Sequence, residues 1–224
     1  MTSAQAFAPP VVATAGAEDQ TAPLVVLLHG TGSHEQQILG LADHLPTGVA
    51  YAAVRGPIAA AGGFAWFANR GIGRPVTESL RATMDWFRAW LDDLVPPARP
   101  VILVGFSGGA VFAGGLVLDQ PARFAGTALL YGPVPFDAGV PTSPARLAGV
   151  PVVLAQGLND RVIPRDLQNR TWDYLVGESG ASATARRDPV GHEIAAPALH
   201  AVAGWLTERR AFLADRERPT ANPT

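Results

Sequence analysis

The sequence predicts an α/β protein built on a mostly parallel sheet with helices on both faces. Three observations predict it. Short apolar runs alternate with segments of helical periodicity along most of the 224 residues. Several of those runs are apolar at every position, the pattern of strands buried on both faces, as parallel strands are. A chain of this length can also bury a sizeable core in one domain.

The elements follow in order. Leu24–Leu28 (LVVLL) is a fully buried strand type, and Val49–Val54 (VAYAAV) is a second strand. Leu80, Met84, Phe87, Leu91 and Leu94 recur at spacings of four and three, which makes the segment an amphipathic helix. Thr77 can cap it, Glu78 suits its first turn, and Pro96-Pro97 stops it. Val101–Phe106 is the next strand, and a helix of small residues follows it to Leu118. Thr127–Tyr131, Val152–Gln156 and Ser182–Arg186 are further strands, and helices around Asp166–Val176 and Ile194–Arg209 separate and close them. Strand-then-helix alternation gives parallel pairing, with ligands expected beyond the carboxyl ends of the strands. Residues 21–210 read as one domain, flanked by flexible segments at 1–20 and 211–224.

Composition removes whole classes of chemistry. The net charge is −2 and the pI about 6.2, so no electrostatic footprint for nucleic acid is present. All 17 basic residues are arginine, which rules out a P-loop lysine, a Schiff-base lysine and a Ser–Lys pair. No cysteine is present to act as nucleophile, disulfide or metal ligand. The five histidines lack metal-binding spacing, and GTGSHE after the first strand lacks the third glycine of a dinucleotide fingerprint. The expectation is therefore no cofactor and no metal. No apolar run reaches the ~18 residues of a membrane span. Ala13-Thr14-Ala15 looks like a cleavage site, but no basic region precedes it and Pro9-Pro10 interrupts the apolar stretch. A cytoplasmic protein is expected, monomer or homodimer.

One motif stands out. In VILVGFSGG (101–109), a strand ends on Ser107 among Gly105, Gly108 and Gly109. Glycine at that density implies backbone that other residues cannot supply, and G-x-S-x-G is the turn that presents a nucleophilic serine. On such a sheet the partners follow in the order acid, then histidine. His192 lies in a loop after the last strand; His200 falls inside the final helix, so His192 is the base by elimination. Asp119, Asp166 and Asp173 read as helical, and Asp188 shares its loop with the histidine it would have to orient. Asp160, directly after strand Val152–Gln156, is better placed than Asp137, which reads as a solvated loop carboxylate. The turn His29-Gly30-Thr31-Gly32 follows the first buried strand, so the N–H groups of Thr31 and Gly108 can stabilise an oxyanion. His29 reads as a structural hydrogen-bonder of that turn. The long connection 56–75 carries Phe64, Trp66 and Phe67, expected to wall the substrate pocket or else to pin the loop to the scaffold. Arg70 and Arg74 on the same loop read as solvated.

LLHGTG, RGP at 55–57, GFSGGA at 105–110, GLNDRVIP at 157–164 and GHEI at 191–194 occur in order along nearly the whole chain. Together they resemble the phospholipase/carboxylesterase family of α/β-hydrolases, which includes small bacterial carboxylesterases and acyl-protein thioesterases. The resemblance implies an α/β-hydrolase fold without a large lid domain. It also implies Ser107 as nucleophile, Asp160 as acid, His192 as base, and Thr31 and Gly108 as oxyanion donors. The sequence departs from the family in carrying Gly at 108, where relatives often have a longer side chain, and AQG rather than HG before the acid. The expected activity is hydrolysis of a small-molecule carboxylic ester or thioester. An acyltransferase using the same residues, or a non-catalytic binding protein on this fold, are the alternatives.

Overall fold

The computed structural model describes residues 7–217. Its main sheet has seven strands: β1 (Val12–Gly16), β2 (Leu24–Leu28), β3 (Ala50–Val54), β6 (Val101–Phe106), β7 (Gly126–Leu130), β8 (Pro151–Gly157) and β9 (Ser182–Asp188). Their spatial order is β1-β3-β2-β6-β7-β8-β9. β1 runs antiparallel to β3, and every other pair is parallel. A two-stranded hairpin, β4 (Ile58–Ala60) with β5 (Gly63–Ala65), stands within the connection that follows β3.

The continuous apolar runs are explained by packing on both sides. In β2, Leu24, Val26 and Leu28 face one core while Val25 and Leu27 face the other. The first core is filled by helices α2 (Thr77–Leu94) and α3 (Gly108–Asp119), and the second by α1 (Glu35–Leu39) and α5 (Ala196–Glu217). A further helix, α4 (Arg165–Asp173), follows the turn after β8. α3 is buried at every position from Gly109 to Leu118. That accounts for its small-residue composition, since it must fit between the sheet and α2. There Phe112 meets Phe87 edge-on, with ring centroids 5.6 Å apart. α2 buries Leu80, Met84, Phe87 and Leu91 as its periodicity predicts. Leu94, in the last turn, is instead 60% exposed, and Val95 just beyond the helix is buried in its place. Thr77 is the first helical residue rather than the cap; Val76 occupies the cap position with no side-chain bond.

Two further differences from expectation lie at the ends. Val12–Gly16, within the segment expected to be flexible, pairs with Val54–Ala50 as an edge strand, and α5 continues past Arg210 to Glu217. Residues 1–6 and 218–224 of the expected flexible ends lie outside the described residues.

The strand order places the chemistry. β2 and β3 lie to one side of a reversal and β6 to β9 to the other, so the crevice opens between the carboxyl ends of β2 and β6. The ends are level there: Leu28 pairs with Gly105, Phe106 with Leu130, and Gly157 with Asp188.

Candidate active site

Ser107 follows β6 directly and caps α3, with φ +53° and ψ −116°. A left-handed φ at a residue with a Cβ costs about 1–3 kcal/mol and persists only where surrounding structure enforces it. Here the Ser107 N–H donates to Leu130 O at 2.9 Å, and its carbonyl accepts the N–H of Ala110 (3.0 Å) and Val111 (3.1 Å). The glycines around it are required by close approach. A Cβ on Gly105 would overlap the Gly109 carbonyl, and one on Gly109 would overlap the Leu28 carbonyl, so strand and helix could not meet at the turn.

His192 lies in the loop between β9 and α5, and Asp160 in the turn after β8. The structure brings the two to Ser107. His192 Nε2 is 2.8 Å from Ser107 Oγ, and His192 Nδ1 is 2.8 Å from Asp160 Oδ2. The other Asp160 oxygen accepts the N–H groups of Val162 (2.7 Å) and Ile163 (3.0 Å). Only 1% of the Asp160 side chain is exposed, against 17% for His192, so the chain of contacts runs from the interior outward to the cleft. An ionised Asp160 accepts from Nδ1–H and thereby leaves the Nε2 lone pair facing the hydroxyl.

Thr31 and Gly108 face one another across the crevice. A Cβ on Gly108 would stand 2.5 Å from Thr31 Oγ1 and 3.3 Å from Thr31 N, so the bare glycine admits this approach. Among the described residues neither amide donates to a protein acceptor. The Gly108 N–H is also the first of α3, where the helix carries partial positive charge.

Three side chains brace the turn that carries Thr31 and the start of α1 that follows it. His29, fully buried, donates from Nδ1 to Gly30 O (2.8 Å) and accepts the Gly56 N–H at Nε2 (2.9 Å). That pair of bonds fits only the neutral imidazole, and burial pushes its pKa down. Arg55 makes two 2.6 Å bonds to the buried Glu35 carboxylate, which hold that carboxyl below its ordinary range. Trp66 Nε1–H donates to His29 O at 2.8 Å.

Those contacts correct part of the expected substrate pocket. Trp66 is 1% exposed and stacked on Phe112, centroids 4.6 Å apart, so it belongs to the core. Phe64 lies under the Arg55 guanidinium, 4.6 Å from ring centroid, on the hairpin that bonds back to Gly32 and Ser33. Only Phe67 of the three lines the cleft beside Ser107. This cleft holds about 270 Å³, and its walls include Asn69, Ile72, Val111, Pro133 and Val162. No motif marked those residues, although Val162 and Ile163 stand within the acid-bearing GLNDRVIP segment. Arg70 and Arg74 are exposed on the turn of the 69–75 segment without lining the cleft. Asp137 pairs with Arg170 at 3.2 Å on the surface, and His200 is exposed on α5.

Comparison with known proteins shows the family. The family model for phospholipase/carboxylesterase matches residues 10–208. The Bacillus subtilis (strain 168) protein MhqD is 25% identical over 189 residues, covering 83% of this chain and 92% of its own. A carboxylesterase from Mesorhizobium loti superposes with a TM-score of 0.72 at 26% identity, covering 85% of this chain and 90% of that one. The Bacillus cereus carboxylesterase shares the fold with a TM-score of 0.78 at 23% identity, over 89% and 94% of the two chains. With the α/β-hydrolase fold and a family match over most of its length, the chain belongs to the phospholipase/carboxylesterase family and is an enzyme of the serine hydrolase class.

Proposed function

We propose that the protein is a carboxylesterase that cleaves small to medium carboxylic esters through an acyl-enzyme, with Ser107 as nucleophile, His192 as base and Asp160 as its orienting acid. The observation that carries this reading is the continuous contact Ser107 Oγ–His192 Nε2–Nδ1–Asp160 Oδ2, two links of 2.8 Å each, opening onto the cleft. Ser107 Oγ attacks the acyl carbonyl while His192 takes its proton, and Asp160 supports the imidazolium that forms. The N–H groups of Thr31 and Gly108 donate to the oxyanion, and each such donor is worth ~2.7–4 kcal/mol in the transition state. Collapse of the intermediate breaks the acyl–oxygen bond, and His192 returns its proton to the leaving alkoxide. Water then attacks the acyl-enzyme by the same route, releasing the acid and restoring Ser107. His192 is partly exposed and the cleft meets solvent, which supports water over a second alcohol as acceptor.

The apolar walls at Phe67, Ile72, Val111 and Val162 support an uncharged acyl or alcohol group as the bound part of the substrate. The test is covalent labelling with a fluorophosphonate together with turnover of a panel of p-nitrophenyl esters and one thioester of matched acyl length. Ser107 is labelled and the esters are cleaved if the reading holds; Ser107→Ala loses both. An unlabelled Ser107 would identify a non-catalytic binding protein instead.

A further inference from the structure

Two buried polar side chains near the site have no part in the proposed reaction. Tyr131 directly follows β7, is 1% exposed, and holds a left-handed φ of +54°. Asp188, the last residue of β9, is 3% exposed. The Tyr131 hydroxyl donates to Asp188 Oδ2 at 3.3 Å and accepts the Ala195 N–H at 3.2 Å. Arg186 grips the same carboxylate through Nε and Nη2 at 2.5–3.1 Å.

The placement of the two partners is what matters. Asp188 is where the chain leaves β9, and Ala195 is the last residue before α5; His192 lies on the loop between them. One phenol oxygen therefore ties both ends of the histidine loop to the end of β7, the strand whose Leu130 carbonyl also holds the Ser107 amide. The first half of the loop is laced to the acid turn as well. Leu158 N–H donates to Asp188 O at 2.8 Å, Asn159 N–H to Val190 O at 3.0 Å, and Asn159 Nδ2 to Pro189 O at 3.2 Å. On the side facing α5, the Tyr131–Ala195 bond provides the corresponding tie. Phe106 fills the space between, 6.2 Å from the Tyr131 ring and 5.3 Å from the His192 ring by centroid.

We infer that Tyr131, with Asp188 held by Arg186, is a positioning residue for His192: it fixes both ends of the loop so that the imidazole keeps its contact with Ser107 during turnover. Burial pushes the Tyr131 phenol above its ordinary pKa, so it stays a donor, while Arg186 keeps Asp188 ionised as the acceptor. A displacement of about 1 Å at a reacting group costs on the order of 10² in rate, which sets the size of the expected effect.

The inference rests on the Ser107–His192–Asp160 reading, and the experiment separates the two. Tyr131→Phe and Asp188→Asn are compared with wild type, well below their melting temperatures, for kcat, KM and the rate of fluorophosphonate inactivation. Hydrogen exchange of residues 189–195 is followed alongside. The expected result is a fall of about 10- to 100-fold in both kcat and inactivation rate, KM within about twofold, and faster exchange in the loop. Unchanged kcat and inactivation with only a lower Tm would make the network purely structural and overturn the inference. If Tyr131→Phe does not fold, Asp188→Asn carries the test with the same thresholds, since it keeps an acceptor for the phenol and removes the charge that Arg186 holds. A wild type that cleaves no ester and takes no label refutes both readings; an active wild type with unaltered variants refutes only this one.

Discussion

Asp160→Asn exchanges one oxygen for an amide nitrogen, and the surroundings decide which one. Oδ1 accepts two backbone N–H groups, from Val162 and Ile163. The amide oxygen of Asn must stay there, because an NH₂ in that place would face two donors in a site where the side chain is only 1% exposed. The NH₂ is therefore directed at His192 Nδ1, where the carboxylate accepted a proton before. Nδ1 must then become the acceptor, the ring proton moves to Nε2, and Nε2–H points at Ser107 Oγ with no lone pair to receive its proton. A base in the wrong tautomer costs about 10⁴ in kcat in enzymes of this type, or roughly 5.5 kcal/mol of barrier at about 1.4 per factor of ten. Both backbone bonds survive, so the fold is retained. The assay is steady-state hydrolysis of a p-nitrophenyl ester, with circular dichroism confirming that the variant is folded. Turnover within tenfold of wild type would show that Asp160 does not set the tautomer, and the argument from the two backbone donors would fail.

Four further outcomes follow from the same geometry. Ser107→Gly and Ser107→Ala are both inactive, but the glycine variant is more stable by about 1 kcal/mol in urea unfolding, because only glycine sheds the penalty of a φ of +53°; equal midpoints would contradict the strain. Trp66→Ala lowers stability by about 3–5 kcal/mol, since it empties a core site against Phe112 and strips the His29 carbonyl of its donor, yet leaves acyl-length preference unchanged. Phe67→Ala, on the cleft wall, shifts that preference instead. His29 titrates below its ordinary 6.5 because burial disfavours its charged form. The folded protein thus binds this proton less readily than the unfolded chain. The stability involved is complete above pH 6.5 and is lost as pH falls through the lowered value. Urea midpoints measured from pH 7 to pH 5 should decline less steeply in His29→Gln than in wild type.

The parts of the molecule that were legible in the sequence are those whose cause is local. LVVLL announced a strand buried on both faces, the Leu80–Leu91 spacing announced one helical face, and glycines 105, 108 and 109 announced a turn under constraint. The order of Ser107, Asp160 and His192 was readable because each stands at or near the end of a strand, and strand ends are where runs of apolar residues stop. What escaped was set by distant partners. VATAG at 12–16 is an unremarkable segment until Ala50–Val54 lies beside it. Trp66 read equally as a pocket aromatic or as a pin for its loop, because nothing nearby in sequence shows that Phe112 and the His29 carbonyl await it. Tyr131 and Asp188 are 57 residues apart, and their meeting depends on the register of three strands. Asp188 read as a loop residue two positions past the strand Ser182–Arg186, whereas β9 runs on to include it.

Because Ser107, His192 and Asp160 gather at one rim of the sheet, the opposite rim has no part in the proposed reaction. There the chain enters four of its parallel strands after Pro23, Pro100, Ala125 and Val150, a full strand length of roughly 17–20 Å from Ser107. Attachment of the enzyme to a solid support, or of a fluorescent reporter to the enzyme, through those turns would leave the mouth of the cleft clear and turned outward.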